Sequence, residues 1–224
     1  GVRKNGEVLL TQREEEKKLK KGWNETWRAC KTVMSNKGIL MTSAVEASIL
    51  FAYGTFETFL PLHAINMGLT AYAVGLFLSA QVLTLALTKP VMGLFSDRHG
   101  RKPQIFAGAI IGAVSIVGFS MFTSFISLLL LSILFGLSLS MVTAATSAFI
   151  ADLSTRETHG SAMGVLGSIM DIGHTTGPLI SGVVASHLGF GSAFICASLV
   201  LVTAAALFLI NLGTGNPKSA IENH

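Results

Sequence analysis

Residues 103–151 form a run of 49 positions without a single Asp, Glu, Lys or Arg. A helix crossing the hydrocarbon core of a bilayer needs only about 20 predominantly apolar residues. The run therefore holds two crossings, and the polar break at Thr123 and Ser124 is the natural place to turn. Two more charge-free runs lie between Glu57 and Lys89 and between Asp171 and Lys218. They are broken at residues 65–70 and 187–192. In hydrocarbon only helices and closed barrels satisfy every backbone polar group. A barrel would alternate with period two over segments of about 10 residues, and these runs do not. The sequence predicts an all-α integral membrane protein with six transmembrane helices, at 38–64, 71–95, 103–122, 125–152, 160–186 and 191–212. Residues 1–37 precede this bundle, and residues 213–224 form a short tail.

Composition agrees with a membrane class. The chain is 50% hydrophobic and 12% charged, where soluble domains carry about 25% charged residues. The net charge of +4 would in a soluble protein raise the question of nucleic acid, but its distribution points elsewhere. Of the 16 Lys and Arg, ten lie in residues 1–37. Arg98, Arg101 and Lys102 fall in the second connection, Arg156 in the fourth and Lys218 in the tail, with Lys89 close to the same side. The three opposite connections carry none. The positive-inside rule makes the charged side cytoplasmic, and six spans put both ends there.

The start of the chain shows no signal-peptide pattern. Because it begins with Gly1, we expect a stretch of a longer protein. Glu14–Lys18 and Glu16–Lys20 are spaced to support a solvated helix. Trp23, Trp27, Cys30 and Met34 then recur on one helical face flanked by basic residues. That pattern suits a helix lying on the cytoplasmic leaflet and equally a linker between domains. Cys30 and Cys196 sit in unlike surroundings and imply no disulfide framework. There is no metal-ligand spacing, nucleophile triad or phosphate loop, so neither an enzyme, a cofactor nor a metal is expected.

The densest charge cluster outside the N-terminal segment is GLFSDRHGRKP, residues 93–103. Asp97 falls at a helix C-terminus, where a carboxylate opposes the helix dipole and needs a cation such as Arg101. Gly100 permits a left-handed turn, Pro103 suits the first position of the next helix, and Gly93 lets another helix come close. The stretch Gly93, Asp97, Arg98, Gly100, Arg101, Lys102 resembles the cytoplasmic signature of the major facilitator superfamily, Gly-x-Leu-x-Asp-Arg-x-Gly-Arg-Arg/Lys, with Phe95 at the usual Leu. That family carries it between the second and third helices of each six-helix half, which is its place here. Residues 149–164 resemble the family's fourth-to-fifth connection and put Asp152 within reach of Arg98 or Arg101. The resemblance implies one half of a twelve-helix transporter, with these charges forming a cytoplasmic gate remade during alternating access.

The fifth span resembles the glycine- and proline-rich fifth or eleventh helix of the family. Pro178 cannot donate to the carbonyl of His174, so a kink is expected at Gly177–Pro178. Gly173 with Gly177, and Gly108 with Gly112, are small-xxx-small pairs that favour close helix packing. In antiporters of the family a similar pattern marks the fifth helix, which points by resemblance to efflux. The basic segment before the first span resembles the central linker. This favours the C-terminal half, helices seven to twelve, with the N-terminal half as the alternative.

Ionisable residues inside spans are costly and point to function. Glu46 and Glu57, eleven residues apart, fall within about 20° of one face of the first span, and Tyr53 shares that face. Asp171 lies in the fifth span, with Thr175 and Pro178 on its face and His174 beside it. The family lines its cavity with the first, second, fourth and fifth helices of each half, and the third and sixth face lipid. In this chain the third and sixth spans carry no charge. Gln81, Thr143, Thr146 and Ser147 would complete a polar lining, although membrane hydroxyls often bond their own backbone. Desolvation disfavours the charged form of a carboxyl group, which suits loading and releasing a proton. Asp171 is the first candidate for proton coupling and Glu46 the second, with His174 as a relay. A fixed hydrogen bond that positions helices is the alternative for each. His63 and His187 are expected at the outer interface. The resulting expectation is half of a proton-coupled secondary transporter of the plasma membrane, moving a small molecule by efflux or antiport. An uptake symporter, or a receptor or scaffold with the same fold, are the alternatives. The implied partners are a small-molecule substrate, protons, lipid and the other six-helix half.

Overall fold

The computed structural model describes residues 35–156 and 158–212. The expectations for Trp23, Trp27, Cys30 and Met34, and for the C-terminal tail, lie outside the described residues. Six helices follow in order: α1 Lys37–Asn66, α2 Ala71–His99, α3 Arg101–Met121, α4 Phe125–Leu153, α5 His159–Leu188 and α6 Phe190–Leu212. Each coincides with an expected span, differing by at most four residues at an end. The largest difference is at the second connection. There α2 runs on to His99 and α3 starts at Arg101, leaving Gly100 alone between them. Its φ of +98° is one that glycine adopts freely. Pro103 is consequently the third residue of α3 rather than the first. It is tolerated because all the first-turn amides lack an intrahelical acceptor.

Side chains close the helix ends. Asn36 Oδ1 accepts from the backbone N–H groups of Gly38 at 2.9 Å and Ile39 at 3.3 Å. Thr70 Oγ1 accepts from Ala73 N–H at 3.3 Å and starts α2. His63, expected at the outer interface, lies in the last turn of α1. It is half-buried, edge-on to Phe194 with centroids 5.6 Å apart, and its Nε2 lies 3.2 Å from the carbonyl oxygen of Phe119. That carbonyl belongs to the last turn of α3, where no intrahelical donor remains. The half-buried imidazole thus caps a helix end. His187 is exposed.

Five of the six helices are long and apolar enough to cross a membrane. The exception is α5, at 30 residues as long as any. Asp171, three histidines and many small residues dilute its apolar content, and it lies along α1 and α6. In the bundle α2 pairs with α4, α1 with α5 and α6, and α3 with α4 and α6. Phe56 of α1 packs on Phe119 of α3 and Phe135 of α4, each at 5.2 Å between centroids. Phe119 in turn meets Phe194 of α6 at 5.8 Å. These four buried rings tie four helices together.

Lipid is as apolar as a leucine side chain, so helices associate in a bilayer through close fit and hydrogen bonds rather than burial alone. The seam between α1 and α5 shows this. A side chain at Gly173 would strike the carbonyl of Ala47, and one at Gly177 the carbonyl of Phe51. One step further along, Thr55 Oγ1 and Ser181 Oγ lie 2.8 Å apart. The contacts advance by four residues on both helices, so α1 and α5 run side by side in register. Behind them, Ser138 Oγ of α4 donates to Gly108 O of α3 at 2.7 Å. Ser198 Oγ of α6 donates to Ala113 O at 2.9 Å.

Candidate functional site

Arg101 organises the end of the bundle where α2 passes into α3. As the first residue of α3 it reaches back to α2 and across to α4. Its guanidinium pairs with Asp97, its Nε lies 3.1 Å from Asp152 Oδ2, and its Nη1 donates to Ser96 Oγ at 2.6 Å. The arginine side chain is 17% exposed and the two carboxylates 52% and 53%. Of the two cations expected near Asp152, Arg101 makes the pair, while Arg98 is exposed on the turn. Lys102 is partly buried beside it. No described part of this chain approaches Gly93, where an added side chain would meet nothing within 4 Å. The close helix approach expected there is not made within the chain.

Sequence reasoning missed Gln104. It is buried one turn into α3, and its Nε2 donates to Met92 O of α2 at 2.9 Å and to Met141 O of α4 at 3.1 Å. It thus joins three helices beneath the Arg101 cluster. A lone amide following a basic motif carries no periodic signal that would single it out.

The second cluster lies on α1 and α5. His174 Nε2 is 3.4 Å from Glu57 Oε2, with side chains 44% and 52% exposed. The Tyr53 ring stacks on the imidazole with centroids 5.4 Å apart. The backbone explains how α1 comes so near. With Pro178 four residues on, the carbonyl of His174 lacks its helical donor. A side chain at Gly54 of α1 would strike that carbonyl and the Pro178 ring. The helix assignment nevertheless continues through Pro178. Asp171, one turn before His174, is exposed and has no part in the Glu57–His174 contact.

Glu46 lies apart from this cluster. The sequence puts Glu46 and Glu57 on one face of α1, but that face meets different neighbours at different heights. Glu57 turns to α5 and the exterior. Glu46 is wholly buried and accepts from, or donates to, Thr146 Oγ1 of α4. Its other oxygen, Oε1, has no hydrogen-bond partner. Gln81, expected to line an open cavity, is instead 1% exposed, with neither amide atom partnered. The backbone of α4 closes over it, because Gly136 brings that helix against Gln81 O. Thr143 is likewise buried and Ser147 partly so. Among the described residues, no three His, Cys, Asp or Glu are grouped to hold a metal ion.

A model of the Major Facilitator Superfamily matches residues 42–223. The chain belongs to this superfamily. The match covers all but the first few described residues. The basic turn around Arg101 and the six-helix bundle are therefore those of an integral membrane transport protein. Among similar curated proteins is the multi-drug resistance efflux pump PmrA of Streptococcus pneumoniae, 31% identical over 153 residues, covering 66% of this chain and 38% of that protein. The quinolone resistance protein NorA of Staphylococcus aureus is 30% identical over 137 residues, or 61% of this chain and 35% of NorA. The transporter MJ1560 of Methanocaldococcus jannaschii is 22% identical over 176 residues, or 79% and 46%. The chain thus spans less than half the length of these relatives. The crystal structure of the POT family transporter PepTSo superposes with a TM-score of 0.67 at 16% identity, over 80% of this chain and 38% of that one. That likeness shows the shared fold.

Proposed function

We propose that the chain is the C-terminal six-helix half of a proton-coupled antiporter that expels small molecules across the plasma membrane by alternating access. The observation that carries this reading is the exposed set of Glu57, His174 and Tyr53 inside the α1–α5 pair, with Asp171 one turn away. Two acids and an imidazole within membrane helices are costly, and a scaffold has no use for them. An aromatic ring beside them offers a small molecule a flat apolar contact next to groups that exchange protons. PmrA is named an efflux pump, which supports the direction, and NorA is named for quinolone resistance, which makes a quinolone the test substrate. The Arg101 cluster would hold the cytoplasmic ends of α2, α3 and α4 together in one state, and both ends of the chain would lie in the cytoplasm.

The test uses inside-out vesicles containing the complete transporter. Asp171→Asn and Glu57→Gln keep shape and remove titration. At least one of them is expected to abolish pH-driven quinolone accumulation while preserving quinolone exchange, because exchange needs no net proton movement. Accumulation with normal pH dependence in both variants would exclude these acids as the coupling groups.

A further inference from the structure

Glu46 differs from the exposed acids in its hydrogen bonding. Thr146 Oγ1, its partner across the α1–α4 seam, also lies 2.9 Å from Val142 O. A threonine hydroxyl has one hydrogen. Beside a bare carboxylate, that hydrogen would be shared between the carboxylate and the helix carbonyls of Val142 and, at 3.3 Å, Thr143. With a proton on the carboxyl group, Glu46 Oε2–H donates to Thr146 Oγ1 and Thr146 donates to Val142 O, one hydrogen to each acceptor. Glu46 Oε1 is buried without a partner. That is tolerable for the carbonyl oxygen of a neutral acid and far costlier for half of an ionised carboxylate.

Among the described residues no cation makes an ion pair with Glu46: the ion pairs are Arg101 with Asp97 and Asp152, and His174 with Glu57. On α2 Lys89 is exposed. On α3 the charges are Arg101 and Lys102 at its start, and on α4 the paired Asp152 at its end. On α5 Asp171 is exposed, His174 is turned to Glu57, and His159 and His187 lie at the ends. α6 carries no ionisable side chain besides Cys196.

We propose that Glu46 is an occluded proton-binding site, occupied in this conformation, whose acid hydrogen latches α1 to α4 through Thr146. Releasing the proton removes the donor and leaves a charge in a dry seam. The seam must then part enough for water to reach Glu46. Ser43 Oγ, one turn before it on α1, and Thr143 Oγ1, one turn before Thr146 on α4, are buried without hydrogen-bond partners. They supply hydroxyls for that water. Any role in transport rests on the proton-coupling reading above, but the site itself does not.

Infrared spectroscopy on the complete protein in lipid, titrated with pH, tests the site. A carbonyl band of a protonated carboxylic acid is expected at neutral pH, absent from Glu46→Gln and lost as pH rises. In a background lacking Cys30 and Cys196, Ser43→Cys should resist a water-soluble maleimide at neutral pH and react as that band disappears. Adding Glu46→Gln should keep it protected at every pH, since the amide still donates to Thr146. The proposal is overturned if Glu46→Gln removes no acid band. It also fails if labelling of Ser43→Cys is independent of pH, or rises with pH equally in the Gln variant. Neither readout requires transport. If quinolone movement proves independent of protons while band and labelling behave as stated, the functional reading falls and the Glu46 site stands.

Discussion

Arg101 shows what single residues contribute where α2 passes into α3. Its planar fork meets Asp97, Asp152 and Ser96 from one position, a geometry that the single ammonium of lysine does not reproduce. Both carboxylates are half-exposed, and exposed ion pairs are worth about 0–1 kcal/mol. Arg101→Lys is therefore expected to lower transport by no more than about 5-fold per pair lost, since about 1 kcal/mol corresponds to that factor. Expression should be near normal, and initial rates of quinolone efflux in cells provide the measure. A loss far beyond that factor would mean that the cluster holds more than two half-exposed pairs. The pairing of Asp97 with Arg101 was legible because a carboxylate at a helix C-terminus demands a cation. The choice of Arg101 over Arg98 for Asp152 was not, since it depends on which side of a one-residue turn each arginine leaves.

At the scale of elements, glycines decide which helices touch. Gly173 and Gly177 place the backbone of α5 against the backbone of α1, at Ala47 and Phe51. Backbone cannot yield as a side chain can, so Gly173→Ala or Gly177→Ala should destabilise the bundle by about 1–3 kcal/mol, the usual cost of overpacking. Gly164→Ala, on the same helix with nothing within 4 Å, should change stability by less than about 0.5 kcal/mol. Thermal unfolding in one detergent compares the three. Equal melting temperatures would mean that the α1–α5 seam is not as close as described. The small-xxx-small spacing announced a close contact in the sequence but did not say with which helix. The partner follows from the four-residue register of α1, which ends in the Thr55–Ser181 hydrogen bond. Helical-wheel reasoning likewise placed Glu46 and Glu57 together. It failed to separate them because a wheel has no neighbours: α4 covers one and α5 leaves the other open. Gln81 was misjudged for the same reason, since α4 packs against its stretch of α2.

Across the whole molecule, charge-free runs and the polar breaks between them located six helices in order, with ends within four residues. Even α5 was found, although its own composition falls short of a membrane span, because charge gaps bracket it where hydropathy alone does not. In the function proposed above, the acids and the imidazole on α1 and α5 exchange protons for the moving substrate. The most direct measurement follows pH and quinolone at once in inside-out vesicles holding the complete transporter and an established acid interior. Adding quinolone should drain the proton gradient in step with quinolone uptake, and only where the transporter is present. If quinolone enters while the gradient is undisturbed, or the gradient drains equally without the transporter, the chain is not part of a proton-coupled efflux antiporter.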